Sequence, residues 1–341
     1  MKKIKKYIIP VFISHLGCNN DCVFCNQRKI SGTIKPVKAE DVKNIIDTYL
    51  EYFNKDEEKN IELAFFGGSF TGIELEKQIE YLEVVQPYIE QNRIQSIRLS
   101  TRPDYINVEI LEMLKKYNVD TIELGVQSLD ERVLKIAKRG HTVEDVENAS
   151  KLINKYGFTL GHQIMLGLPE SSLEKEIETA RKSLKMLPKI VRLYPVLVIS
   201  KTKLEEMYYD KEYKPLDLEE AVERCAILTN MYEENNVNVI RTGLHVTEDL
   251  ASESSYVDGP IHPAFGQMVK ARIIRKQIEE DIAKLRPKVG AIVEITCNLN
   301  TVNNIVGVKK SNIEYLQNKY NVRIKVVVKN NIQFKYKCKV M

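Results

Sequence analysis

The chain has 341 residues, 43% of them hydrophobic and 29% charged, enough to bury one large α/β domain with an appendage or two ordinary domains. No apolar run reaches the roughly 18 residues a membrane span needs. The basic start, Met1–Lys6, leads into Tyr7–Ile13, which is too short for a leader, carries Pro10 and is followed by no small-residue cleavage site. Membrane spanning and secretion are thereby set aside, and a cytoplasmic protein is expected.

The first strand candidate, Ile8–Ser14, runs directly into Cys18-Asn-Asn-Asp-Cys22-Val-Phe-Cys25. Three thiolates at spacings of four and three can wrap one corner of a cubane cluster, one iron each, and leave the fourth iron open. Three of the six cysteines lie in this loop, while Cys225, Cys297 and Cys338 are scattered in contexts that read as core. A disulfide framework belongs to small secreted chains, which this is not. The rival reading is structural zinc with His15 as fourth ligand, but zinc ligands usually come from two separate knuckles.

Apolar runs and amphipathic stretches then alternate. The next strands are expected over Ile61–Phe66, Ser96–Thr101, Thr121–Val126, Leu160–Leu166 and Val191–Ile199, rich in Val, Ile and Leu as strands covered by helices should be. Helices are expected over 39–53, 74–90, 107–117, 142–156 and 171–187. Six strands, each followed by a helix, make a right-handed parallel sheet that curls into an incomplete (β/α)6 barrel of the α/β class. The unusual residues fall after the strands' C-terminal ends, where such barrels place chemistry. Gly67-Gly68-Ser69 ends the second strand and lets backbone approach a ligand closely. Ser100-Thr-Arg-Pro-Asp104 ends the third, with Asp104 as the expected helix cap. Gln127 ends the fourth, Arg139-Gly-His141 follows, and Gln163 lies on the fifth. His141 reads as structural, whereas the Arg139 fork suits a carboxylate. A helix near 215–235, a last strand at Val237–Ile240, a polar segment from Thr242 to Pro263 and a helix over 265–285 complete this part.

The cysteine spacing with an aromatic before its last cysteine resembles the radical S-adenosylmethionine superfamily. The resemblance implies a 4Fe-4S cluster on Cys18, Cys22 and Cys25. S-adenosylmethionine would chelate the open iron and be cleaved to a 5′-deoxyadenosyl radical. It also implies Phe24 near the adenine and Gly67, Gly68 and Ser69 near the methionine amino group. Thr-Arg-Pro-Asp, Gly-Val-Gln-Ser, Arg-Gly-His-Thr and Leu-Tyr-Pro-Val-Leu-Val-Ile are similar to one branch, that of the Elongator catalytic subunit and, more distantly, the oxygen-independent coproporphyrinogen oxidases. In that branch the positions matching Gln127, Arg139 and Gln163 contact the cofactor. The Elongator subunits have a longer gap between the first two cysteines and carry an acetyltransferase domain, for which no length is expected here.

Ten Lys and Arg against Glu294 and Glu314 give residues 287–341 a charge of +8, which leaves −4 for the rest of a chain whose net is +4. That step suggests a domain boundary and an anionic partner. The tail reads as strand, short helix, helix and two strands, with Ser311 and Glu314 forming a capping box. Gly307 to Val328 resembles the KH nucleic-acid module, whose Gly-x-x-Gly loop holds phosphate backbone. Here Lys310 stands for the second glycine and the final helix is absent. Gly307, Lys309 and Lys310 are the candidate RNA contacts. Lys335, Lys337 and Lys339 alternate with Phe334, Tyr336 and Cys338 in a cationic face, unless they only blunt a sheet edge.

The expected layout is therefore a partial barrel over 1–265, a connecting helix over 266–286 and a small basic α+β (βααββ) domain over 287–341. The expected function is radical modification of a tRNA nucleoside, with RNA and an electron donor as partners. A radical enzyme acting on a small molecule such as a tetrapyrrole is the alternative, as is an iron–sulfur or zinc RNA-binding protein without turnover.

Overall fold

The computed structural model describes residues 5–13, 17, 22–26, 37–53, 58–244, 255–330, 332 and 334–341. Seven of its strands form one parallel sheet in chain order: β1 Lys5–Phe12, β2 Lys59–Phe66, β3 Ser96–Thr101, β4 Val119–Gln127, β5 Thr159–Leu166, β6 Ile190–Pro195 and β8 Asn238–Thr242. Their connecting helices include α1 Ala39–Tyr52, α2 Leu75–Glu90, α3 Val108–Lys116, α4 Glu131–Ile136, α5 Val143–Lys155, α6 Leu173–Lys185, α7 Lys203–Tyr209 and α8 Leu218–Glu234. Strict chain order in a parallel sheet means that every crossover has the same hand, so the sheet curls into the expected partial barrel. The last expected strand joins it as the seventh member.

Alternation along each strand sorts the two faces. Ile9, Val11, Leu63, Phe65, Ile97, Leu99, Ile122 and Leu124 are fully buried beneath the helices. Their neighbours Phe12, Phe66, Arg98, Glu123 and Arg192 face the concave side. The stretch read as one strand over Val191–Ile199 is broken after Pro195. Val198–Ile199 (β7) leaves the barrel to pair antiparallel with Tyr256–Asp258 (β9), inside the segment read only as polar. Pro195 has no N–H to continue the ladder.

Helix caps fall where side chains accept from the first turn. Asn107 takes the Ile110 N–H at 2.9 Å, and Thr142 and Asp145 form a capping box. Asp104 caps nothing: both of its oxygens bind the buried Arg102, at 2.9 and 2.8 Å.

The long helix α9, Phe265–Leu285, is shared rather than a bare connector. Phe265, Val269 and Ile273 pack with α8 and the end of the barrel, while Ile274, Ile278 and Ile282 enter the core of the C-terminal module. That module is β10 Ile292–Cys297, α10 Val302–Val306, α11 Ser311–Tyr320, β11 Arg323–Val328 and β12 Tyr336–Val340, the βααββ order expected. β10 is central, with β11 parallel and β12 antiparallel to it. The capping box at Ser311 does not form: Ser311 is already helical, and Lys310 precedes it in a left-handed conformation. Among the described residues, no helix is long and apolar enough to cross a membrane.

Cys225, Cys297 and Cys338 lie in these two cores, and burial pushes the Cys338 thiol up to about 12. Replacing any of the three by Ser is therefore expected to leave bound iron near wild type. An iron assay showing a fall of about a quarter, one iron of the four in a cubane, would reassign a ligand.

Candidate cluster and cofactor site

Cys22 and Cys25 flank a tight turn in which the Cys25 N–H donates to the Cys22 carbonyl at 3.0 Å. The turn is stitched into the barrel on two sides. The Val23 N–H donates to Ala137 O at 3.1 Å, and the Leu204 N–H donates to Val23 O at 2.7 Å. Phe24 is 9% exposed and packs in an apolar cluster with Val133, Leu168, Val196 and Tyr213. Cys18 and His15 lie outside the described residues. Gly17 is described, and it meshes with Gly72. A Cβ on Gly17 would lie 2.1 Å from Ser69 O, and one on Gly72 would lie 2.1 Å from Gly17 O. The chain at Gly17, one residue before Cys18, thus lies against the backbone of Ser69 to Ile73.

Arg139 ties the cysteine turn to the sheet. Its Nη1 donates to Cys22 Sγ at 3.3 Å and its Nη2 to Gly125 O at 2.8 Å. Its two Nη groups therefore face a sulfur and a carbonyl. Gln127, at the end of β4, has a left-handed backbone (φ 65). Arg139 Nε and Gln127 Oε1 are both buried without a partner among the described residues. Gln163 aligns with Gly125 across the β4–β5 ladder. Ser69 is committed elsewhere: its hydroxyl bonds Thr101 Oγ1 at 2.9 Å and accepts from the Arg102 N–H at 3.0 Å. His141 has its Nε2 3.2 Å from Val126 O, and its Nδ1 is buried without a partner among the described residues. Burial, then the Arg139 and Arg102 charges, lower its pKa to about 3, so it is neutral at physiological pH.

These residues fit an anionic iron–sulfur cluster and a polar cofactor. Two thiols share one turn, a guanidinium N–H is aimed at sulfur, and an unmatched donor and acceptor wait where the strands end. A side chain at position 125 would fill the space, since its Cβ would meet Arg139 Nη2 at 2.9 Å and Gln127 Nε2 at 3.2 Å.

A second group was not singled out in the sequence. On the concave face, Arg98 binds Glu62 at 2.7 Å and Glu123 at 2.7 Å. Arg192 binds Glu123 through both oxygens, one contact at 3.1 Å, and stands over the Phe66 ring at 5.1 Å. The signal was present: Glu62, Arg98, Glu123 and Arg192 each interrupt a strand otherwise apolar enough to be covered on both faces.

The fold is a parallel partial barrel that holds two thiols, Cys22 and Cys25, in one turn packed against it. The radical SAM superfamily model matches residues 12–182, and that family's C-terminal domain model matches 188–275. The chain belongs to the radical SAM superfamily, whose members use a 4Fe-4S cluster and S-adenosylmethionine. It is 30% identical to a tRNA uridine(34) acetyltransferase of Methanocaldococcus infernus, over 63% of this chain and 48% of that protein. It is 36% identical to human Elongator complex protein 3, over 39% of this chain and 25% of that one. The chain thus spans about half or less of the length of these two relatives. The solved archaeal Elp3 of M. infernus, at 24% identity, shares the fold with a TM-score of 0.62, covering 81% of this chain and 64% of that chain.

Proposed function

We propose that this enzyme uses an adenosyl radical to activate a carbon of a tRNA nucleoside, in the cytoplasm and with an electron donor that reduces the cluster. The chemistry such a cluster and cofactor supply when bound is one-electron cleavage of the sulfonium to methionine and a 5′-deoxyadenosyl radical. Cys18, Cys22 and Cys25 would hold the iron, with Arg139 donating to the Cys22 sulfur. Phe24, Gly67, Gly68, Ser69, Gln127, Arg139 and Gln163 would line the cofactor pocket, Ser69 through its backbone because its hydroxyl is engaged and Arg139 through its unmatched Nε. Two relatives are named for acetylating uridine 34 of tRNA, which supports a tRNA substrate.

The observation that carries the RNA reading is where the basic module sits. Phe265, at the start of α9, lies against Gly243 just beyond the end of β8, the mouth end of the barrel. Asn312 Nδ2 donates to the α9 carbonyl of Ala271 at 2.9 Å and so holds the α10–α11 junction beside it. Six residues of helix, about 9 Å of rise, thus separate the level of the mouth from the Gly307-Val-Lys309-Lys310 turn. Lys309 and Lys310 are exposed, and Lys310 has φ 66, a conformation glycine would adopt without strain. The KH-like reading of residues 287–341, with this turn on RNA phosphate, accounts for a lysine kept in a glycine's geometry. The open sheet face adds Arg323, Lys325, Lys337 and Lys339, all exposed, around one carboxylate, Glu294.

A Lys309→Glu/Lys310→Glu variant is expected to bind tRNA more weakly, with a salt dependence shallower by nearly one unit of slope for each phosphate no longer neutralised. Its RNA-independent cleavage of S-adenosylmethionine should persist. Unchanged tRNA affinity and slope in a salt titration would make the module a scaffold.

A further inference from the structure

We propose that the concave face of the barrel carries a stacking site for one uncharged planar ring, a base of the RNA substrate, built by Phe12 and Phe66 and braced by Arg192. This rests on the RNA reading above and adds which part of the substrate enters the barrel. Phe12 and Phe66 are the last residues of β1 and β2, they align in register, and their ring centroids are 6.2 Å apart. Ile9, Val11 and Phe65 are fully buried against the helices, so alternation turns Phe12 and Phe66 to the opposite, hollow side. There Phe12 is 41% exposed, a large aromatic left bare inside a curled sheet, while its apolar neighbours Ile9, Val11 and Phe65 on the other face are covered.

Position and charge identify the occupant. Phe66 immediately precedes Gly67-Gly68, and the Ile13 N–H donates to its carbonyl at 2.8 Å just before the cysteine loop. The rings therefore lie at the strand ends that lead into Gly67-Gly68 and toward the cysteines, the end of the barrel where a carbon would come to be activated. The Arg192 guanidinium stands 5.1 Å from the Phe66 centroid, held there by Glu123. The charges of Arg98 and Arg192 on this face are matched by Glu62 and Glu123, Arg98 pairing with both and Arg192 with Glu123. A nucleobase is planar and uncharged and gains from such a surface. A tetrapyrrole bearing several carboxylates would meet no unmatched cation among these four groups, and Arg241, aligned with Arg192 on the next strand, is turned to the Gly243 carbonyl at 3.3 Å.

The test uses the full chain and a tRNA transcript with 5-iodouridine at its uridine positions, irradiated and mapped by mass spectrometry. Crosslinks are expected on Phe12 or Phe66. A Phe12→Leu variant should lose the Phe12 crosslink and raise KM for tRNA on the order of 10- to 100-fold, and Phe12→Tyr should restore most of the loss because a ring is again present. Crosslinks confined to residues 287–341, or a Phe12→Leu KM equal to wild type, would overturn the stacking site while leaving tRNA as substrate. Failure of the wild-type chain to bind any tRNA would instead overturn the RNA reading, and the stacking site with it.

Discussion

A Glu123→Ala variant is expected to lose about 3–5 kcal/mol of folding stability, the usual cost of stripping one partner from a buried ion pair. Glu123 is 2% exposed and is the shared acceptor of Arg98 and Arg192, whose side chains are each 12% exposed. Removing it strands two guanidinium groups on the concave face. Among the described residues, Arg98 keeps another carboxylate, Glu62, and Arg192 keeps none. Glu123→Gln preserves shape and one acceptor, so it should fall between alanine and wild type. Urea unfolding of the three proteins measures the difference. A loss below about 1 kcal/mol for alanine would mean that the network is solvated like a surface pair.

Gly17→Ala is expected to abolish cluster retention. The position has φ +71, and the added Cβ would lie 2.1 Å from Ser69 O and 2.7 Å from two further backbone atoms, at Gly72 and Ile73. Backbone cannot swing aside as a side-chain tip can, so the cysteine loop must leave its seat against the second strand's loop. Gly72→Ala should give the same phenotype from the other side of the interface. Gly290→Ala is the control: φ there is +81, but nothing lies within 4 Å of the new Cβ. It should lose only some stability and hold full iron. Iron and sulfide per chain after anaerobic reconstitution, with circular dichroism to confirm folding, separate these outcomes. Full iron in Gly17→Ala would show that the loop seats elsewhere.

The barrel was legible because its signals are local. Apolar runs such as Leu160–Leu166 and amphipathic stretches such as 142–156 declare strand and helix within a few residues. The cysteine turn was legible because its spacing is itself the chemistry. What escaped depends on contacts between distant segments. Nothing near Gly17 announces that Gly72 will lie against it, and nothing near Glu123 names Arg98 and Arg192 as its partners. The break at Pro195 was visible as a proline, but the pairing of Val198–Ile199 with Tyr256–Asp258 was not, since a two-residue strand has no period to read. The role of Arg139 was half legible. Its residue type suited an anion, but only the fold shows Cys22 Sγ and Gly125 O within its reach. The Ser311 capping box illustrates the opposite error, a local motif overruled when the helix begins at Ser311 itself.

The most direct test is anaerobic incubation of the reconstituted enzyme with S-adenosylmethionine, a reductant, an acetyl donor and tRNA, followed by nucleoside mass analysis and assay of 5′-deoxyadenosine. A radical enzyme acting on tRNA should form 5′-deoxyadenosine faster when tRNA is present and change the mass of one nucleoside, and Cys22→Ala should lose both effects. Formation of 5′-deoxyadenosine at the same rate with and without tRNA, with every nucleoside unchanged, would contradict that function.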